Sequence, residues 1–238
     1  MFDPVRYDAW FETESGRFAL EAEKRLLSAV VAGWPRRGQK LLEIGCGTGV
    51  FLEALWEMGF EVSGLDPAPT MLAAASERLK NRADLHLAHG EHLPFADKEF
   101  DFAVLWTALE FCADPEIVLR EAARVAAKGL LVGFLNRHSL YFLLKGRPGS
   151  GGTLATARWF SPQRMRRLIK SATGTTPNSG RSVLLGPPST WIDAHPWKEL
   201  NHPCWPGCLG VFCALRADFV NQKPLTPIMA WKTEPQRG

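Results

Sequence analysis

Across residues 122–192 the sequence contains neither aspartate nor glutamate, yet it holds eleven lysines and arginines. That stretch carries +11, leaving −8 for the rest of a chain whose net charge is +3. Such an asymmetry suits an anionic ligand or an anionic membrane surface, or a solvated basic face with no partner. Long apolar runs are also missing, since none reaches the roughly 18–20 residues of a spanning helix. The opening "MFDPVRYDAWFETE" lacks the basic-then-apolar order of a signal peptide, so a cytoplasmic protein is expected. The five cysteines, at 46, 112, 204, 208 and 213, are odd in number and scattered, which argues against a disulfide framework. His202, Cys204 and Cys208 fall close together, but a zinc site wants about four ligands at recognisable spacing. His86, His89 and His92 are spaced three apart, and on a strand that spacing points neighbours to opposite faces. Thiols in an aromatic loop and no metal are therefore expected.

What is present is a chain of 238 residues, 46% hydrophobic and 22% charged, enough for one sizeable core. Residues 18–31 set Leu20, Leu26, Leu27, Val30 and Val31 on one helical face, ended by Gly33 and Pro35. Short apolar strands then alternate with helices. "KLLEI", "FEVSGLD", "LHLA", "FDFAVLW" and "GLLVGFL" read as five strands, and Asp114 followed by Pro115 marks a helix start. Strands separated by helices imply right-handed crossovers and a parallel sheet covered on both faces. After residue 136 the rhythm loosens. "KGRPGSGGT" reads as flexible, "SPQRMRRLIKSA" as a helix capped by Ser161, and "RSVLLG" as a sixth strand. "PPSTWIDAHPWKELNHPCWPG" reads as a long irregular loop, and "LGVFCALRA" as a seventh strand. The expected fold is a doubly wound α/β unit of seven strands, mostly parallel with an antiparallel last strand. Insertions follow strands five and six. The expected single domain covers 1–220: a helical lid at 1–35, a core at 36–136, and the remainder at 137–220. Residues 221–238, with three prolines and little pattern, are expected to be poorly ordered.

Gly45, Gly47 and Gly49 stand where the first strand hands over to a helix, the edge at which open parallel sheets bind ligands. The dinucleotide fingerprint needs its third glycine at position 50, where valine stands, which argues against a nicotinamide oxidoreductase. No Gly-Lys-Ser/Thr follows to cradle phosphates. Glu43, just before the loop, would repel a pyrophosphate and attract an ammonium group.

"LLEIGCGTG", "GLDPAPTML", "EHLPFADKEFDFAVLW" and "LREAARV", in that order and spacing, resemble the class I S-adenosylmethionine-dependent methyltransferases, in particular the small-molecule branch with the Leu-Pro-Phe signature. The resemblance covers residues 41–136. It implies S-adenosylmethionine as cofactor, with Gly45, Cys46 and Gly47 in the binding loop and Glu43 near the methionine part. Asp66, with Pro67 after it, would accept from the ribose hydroxyls, and Met71 would pack on the adenine face. His89, Gly90 and Glu91 stand where the family carries Asp-Ala-Glu, so His89 or Glu91 would take the adenine amino group. Tyr7, in a lid segment, and Leu105, in strand four, complete the implied set. Taken alone, Glu43 also reads as a loop-orienting acid and Asp66 as a turn former before proline.

Transfer from a sulfonium asks the protein mainly to align the partners and exclude water, with a base where the acceptor must lose a proton. Glu110, after strand four, and His138, after strand five, are the candidate bases; a loop-holding acid and a solvent-facing histidine are the plain alternatives. Trp159, Trp191, Trp197 and Trp205 lie where the family places its acceptor pocket, although such aromatics also build a loop's private core. With the acid-free segment they suggest a small-molecule acceptor, apolar or aromatic with an anionic end. The Asn/Asp-Pro-Pro-aromatic motif of base-amino methyltransferases is replaced by "WTALEF", so nucleic acid is not the expected partner. RNA or protein methylation, and a non-catalytic module that only binds the cofactor, are the alternatives. Oligomeric state is not indicated.

Overall fold

The computed structural model describes residues 3–145 and 157–219. The expected flexible stretch around 146–153 and the tail at 221–238 fall outside the described residues, apart from Lys145 itself.

Two helices open the chain, α1 (Pro4–Glu12) and α2 (Glu14–Val31). The alternating core follows as β1 (Lys40–Ile44), α3 (Val50–Glu57), β2 (Glu61–Asp66), α4 (Pro69–Leu79), β3 (Ala83–Leu87), β4 (Phe100–Trp106), α5 (Pro115–Val125) and β5 (Ala126–Leu135). Then come α6 (Leu140–Lys145), α7 (Pro162–Thr173), β6 (Ser179–Val183), α8 (Trp197–Asn201), β7 (Trp205–Pro206) and β8 (Phe212–Asp218). The sheet runs β3-β2-β1-β4-β5-β8-β6-β7. β1 to β5 pair in parallel, and β8 lies antiparallel between β5 and β6.

Among the described residues the sheet has eight strands where seven were expected. β7 is two residues long and pairs with Arg181 and Ser182 of β6, inside the stretch expected to be irregular. That stretch also forms α8 and a single 3₁₀ turn at Pro188–Thr190. Elements this short show no hydrophobic period, and their proline content reads locally as loop.

Alternation along the strands builds a core on each face of the sheet. Leu41, Phe102, Val104 and Trp106 pack with Leu26, Leu27 and Val30 of α2. Leu42, Ala103 and Leu105 pack on the other face with Val118 and Leu119 of α5 and Met165 and Ile169 of α7. The helix starts follow local chemistry: Asp114 accepts from the Glu116 and Ile117 amides before Pro115, and the Ser161 hydroxyl accepts from the Arg164 amide.

One side chain ties two of the sequence landmarks together. Arg124, in "LREAARV", donates to the carbonyls of Leu93 and Phe95 and pairs with Glu121 and Asp97. Glu121 in turn accepts from the Leu93 amide at 2.9 Å. The Leu-Pro-Phe loop is thereby clamped to α5.

Candidate active site

The glycine loop is tight on two sides and open on a third. The Gly45 and Cys46 amides donate to the Leu65 carbonyl at 2.7 and 3.0 Å, docking the loop on the end of β2. A Cβ at Gly45 (φ +77°) would lie 2.6 Å from Ala108, and one at Gly49 (φ +80°) 2.9 Å from Leu79, so neither position accepts a side chain. Beside Gly47 no atom beyond the two adjoining residues lies within 4 Å of where a Cβ would stand. Asp66, at the end of β2, accepts from the Gly47 and Ala68 amides, each at 2.9 Å. Burial raises the pKa of Asp66 while those two amides pull it down.

Behind this loop the fold buries a set of acids. Glu43 is 1% exposed, its Oε2 has no partner, and burial with the nearby Asp66 charge holds its pKa well above the usual carboxylate range. Glu110 is 2% exposed; its Oε1 accepts from the Leu135 amide at 2.7 Å, its Oε2 has no partner, and burial pushes its pKa up to about 7. Glu23 was not singled out from sequence. It projects from α2, accepts from the Trp106 indole at 2.9 Å, and is pushed up to about 8 by burial and, to a lesser degree, by Glu110. A signal for it existed: it stands within the buried stripe of Ala19, Ala22, Leu26 and Leu27, and a carboxylate there calls for a reason.

Tyr7 reaches these acids from α1. Its phenol is an electrostatic neighbour of Glu23, Glu43 and Asp8, and burial first, then those charges, raises its pKa. The next residue fastens the helix down: Asp8 accepts from the Thr48 hydroxyl and pairs with Arg78 of α4, each at 2.7 Å. Arg78 also donates to the Thr48 carbonyl at 2.9 Å. Since α1 has no buried residue of its own, this three-residue latch is a large part of what holds it over the glycine loop.

The remaining sequence candidates divide. Cys46 is buried among Glu43 and Asp66, and Met71 is buried in the first turn of α4, after an exposed Pro67. Glu91 is an electrostatic neighbour of Cys112, which also feels Glu110 and Asp66. His89 is exposed, and Gly90 packs closely between Ile44 and Val118. The side chain of Leu105 is fully buried in the core beneath α5 rather than in the cleft. His138 is exposed on the loop after β5, its amide held by the Asn136 side chain.

Two of the four tryptophans come together. Tyr141 of α6 lies 5.7 Å from Trp159 and 5.7 Å from Trp191, with Phe142 5.2 Å from Trp159. The Trp191 indole donates to the Gly186 carbonyl, whereas the Trp159 indole is buried without a partner. Trp197 is 41% exposed, and Trp205 bonds the Leu200 carbonyl within its own loop. The Cys213 thiol donates to the Gly210 carbonyl at 3.6 Å, with Cys208 its electrostatic neighbour. Among the described residues no group of three or more His, Cys, Asp or Glu side chains is placed to hold a metal ion.

A doubly wound sheet with β8 reversed, a glycine loop after β1 and an acid ending β2 together define the class I methyltransferase fold. Residues 42–132 match the family described as a methyltransferase domain, and the chain carries that domain within this fold. A crystal structure of a SAM-dependent methyltransferase from Thermotoga maritima, titled a possible histamine N-methyltransferase, superposes with a TM-score of 0.72 at 27% identity, covering 91% of this chain and 96% of that one. An uncharacterised protein of Mycobacterium tuberculosis is 33% identical over 175 residues, 70% of this chain and 56% of the relative. A ubiquinone biosynthesis O-methyltransferase of Azorhizobium caulinodans is 32% identical over 115 residues, 46% of each chain. The chain thus spans about half the length of these curated relatives.

Proposed function

We propose that this protein binds S-adenosylmethionine and methylates a small-molecule acceptor. The observation that carries the reading is the pair of buried carboxyl groups, Glu43 and Asp66, at neighbouring strand ends beside the open flank of Gly47. An unpartnered acid under a loop with no lysine suits a ligand bearing ammonium and hydroxyl groups and not a pyrophosphate. Glu43 would hold the amino-acid end, Asp66 the ribose hydroxyls, and Met71 and Glu91 the adenine. Cys46 and the Gly45–Gly47 backbone would line the bed, and residues 1–35 would serve as lid through Tyr7. When bound, S-adenosylmethionine supplies an electrophilic methyl group on a sulfonium.

The chain's own residues do the rest. The lid and the aromatic cluster keep water from the cleft, and Glu110, with a pKa of about 7, holds the proton an acceptor would lose. Burial favours Glu110 over His138, which is exposed. The acceptor has an apolar or aromatic body, in keeping with Trp159, Trp191 and Tyr141, and an anionic end. The acid-free segment supports that end through Arg137 and Arg158, both exposed, so the anionic end adds less to affinity than a group held in the buried interior. A relative named a ubiquinone biosynthesis O-methyltransferase and a structure described as a possible histamine N-methyltransferase agree with a small-molecule acceptor. We place the protein in the cytoplasm; no described helix is long and apolar enough to cross a membrane.

Calorimetric titration with S-adenosylhomocysteine and with NAD tests the donor. The first binds, the second does not, and Asp66→Ala lowers affinity for the first by more than about tenfold, the scale of lost charge-assisted hydrogen bonds. Binding of NAD alone, or unchanged binding by the variant, refutes the assignment.

A further inference from the structure

In the segments that follow β4 and β5 the fold buries two polar atoms and gives neither a protein partner: Glu110 Oε2 and Trp159 Nε1. The backbone brings their chains together, because the Arg158 amide donates to the Glu110 carbonyl at 2.9 Å and the Phe160 amide to the Leu135 carbonyl at 3.1 Å. Leu135 is also the residue whose amide holds Glu110 Oε1. Glu23 comes in from α2, gripped by Trp106, and acts electrostatically on Glu110. Among the described residues no lysine or arginine pairs with either acid.

Leaving a buried polar atom unbonded costs about 1–3 kcal/mol, and folds retain few such atoms without a use. The two here need partners of opposite kind. A carboxylate oxygen needs a donor, and an indole N–H needs an acceptor. A carboxylate placed against Glu110 could be held only while Glu110 keeps its proton, whereas an ammonium satisfies the ionised oxygen and neutralises the pair.

We propose, building on the methyltransferase reading above, that the acceptor is a small aromatic amine. Its nitrogen is held by Glu110 Oε2 with Glu23 as the second carboxyl group, its ring lies among Trp159, Tyr141 and Trp191, and a lone-pair-bearing or anionic atom of its body accepts from Trp159 Nε1. Solvent does not reach either atom in this conformation, so the amine enters when a cover lifts. The covers are α1, which has no buried residue, and α6, whose Leu143 and Leu144 are exposed.

The raised pKa values of the two acids accord with this site. The groups facing them are Tyr7 from α1, which feels Glu23, the Trp106 indole from β4, Cys112 after β4, which feels Glu110, and the Leu135 amide at the end of β5, and none is a cation. An arriving ammonium lowers both pKa values, so binding near neutral pH releases protons from the carboxyl groups.

The full chain, saturated with S-adenosylhomocysteine, is titrated calorimetrically at pH 7 in two buffers of different ionisation enthalpy. The probes are 2-phenylethylamine and tryptamine, each set against its size-matched acid, 3-phenylpropanoate or indole-3-propionate. The amines are expected to bind at least about tenfold more tightly than the acids, with net proton release. Glu110→Gln and Glu23→Gln, which keep the bonds to Leu135 and Trp106, each remove about tenfold or more of amine affinity and leave S-adenosylhomocysteine affinity within about twofold. Acids binding as tightly as amines, no amine binding, or amine affinity unchanged in both variants overturns the inference while leaving the donor assignment standing. Failure of S-adenosylhomocysteine to bind overturns that assignment and this inference with it.

Discussion

Glu23 and Glu110 are buried electrostatic neighbours, neither paired with a lysine or arginine among the described residues, and the sign of their effect on stability follows from that. Their folded pKa values, about 8 and about 7, stand above the ordinary value of 4.5. Between those limits the folded state binds more protons than the unfolded chain. Stability is therefore highest below about pH 4.5, as far as these two groups are concerned, and falls as pH rises through 7 to 8, by on the order of several kcal/mol for the pair. Urea unfolding at pH 5 and pH 8 should show the fall, and Glu23→Gln should make it smaller, with Glu110 and Glu43 supplying the remainder in the same direction. A separate outcome belongs to Gly45. Alanine there meets Ala108 at 2.6 Å in a backbone conformation that disfavours a side chain, so Gly45→Ala should lower stability by about 2 kcal/mol or more, read as a lower urea midpoint. Gly45, Glu43, Asp66 and Glu110 were visible in the sequence because motif spacing placed them at strand ends. Glu23 shows in the sequence only as an acid within an apolar stripe, because nothing in an amphipathic pattern says which partner a lone buried acid will meet.

At the scale of elements, α1 depends on its latch. Asp8→Asn or Arg78→Ala removes the ion pair and loosens the hold on Thr48, while the core helices keep their packing. Amide exchange in residues 4–12 should speed up, exchange in α2 should stay as it is, and S-adenosylhomocysteine affinity should fall by about tenfold at most. Equal exchange rates with and without the latch would show that α1 is held by other contacts. The clamp at Arg124 makes a second prediction: Arg124→Ala frees the carbonyls of Leu93 and Phe95 and should cost about 1–3 kcal/mol, measured by thermal unfolding. The helix starts at Pro115 and Pro162 could be read from their caps, because a cap is local chemistry. β7 and α8 could not, because two and five residues are too few to display a period.

For the whole molecule, ligand binding and folding are one equilibrium. At a hundredfold excess over its dissociation constant, S-adenosylhomocysteine should add about 2.7 kcal/mol and raise the melting temperature by about 5–10 °C, with NAD giving no shift. The parallel half of the sheet was readable because strand, helix and strand alternate at lengths that allow only right-handed crossovers. The order of the last three strands was not, since antiparallel neighbours are chosen by packing between segments far apart in sequence. Trp34 is one such choice, stacking on Phe102 at 4.0 Å and bonding Asp218 at 2.7 Å to tie the end of β8 to the rest of the sheet.

The sequence by itself determined the fold class, the glycine loop and the acid that ends β2, because each is fixed by local backbone chemistry and by hydrophobic period. Only the tertiary structure decided that Glu23 meets Glu110, that Tyr7 reaches Glu43, and that Trp159 and Trp191 gather around Tyr141 while Trp197 and Trp205 do not. Those contacts join α1, α2, the end of β4 and the segments after β5. Their positions are set by how apolar faces pack in three dimensions, and no local pattern encodes that.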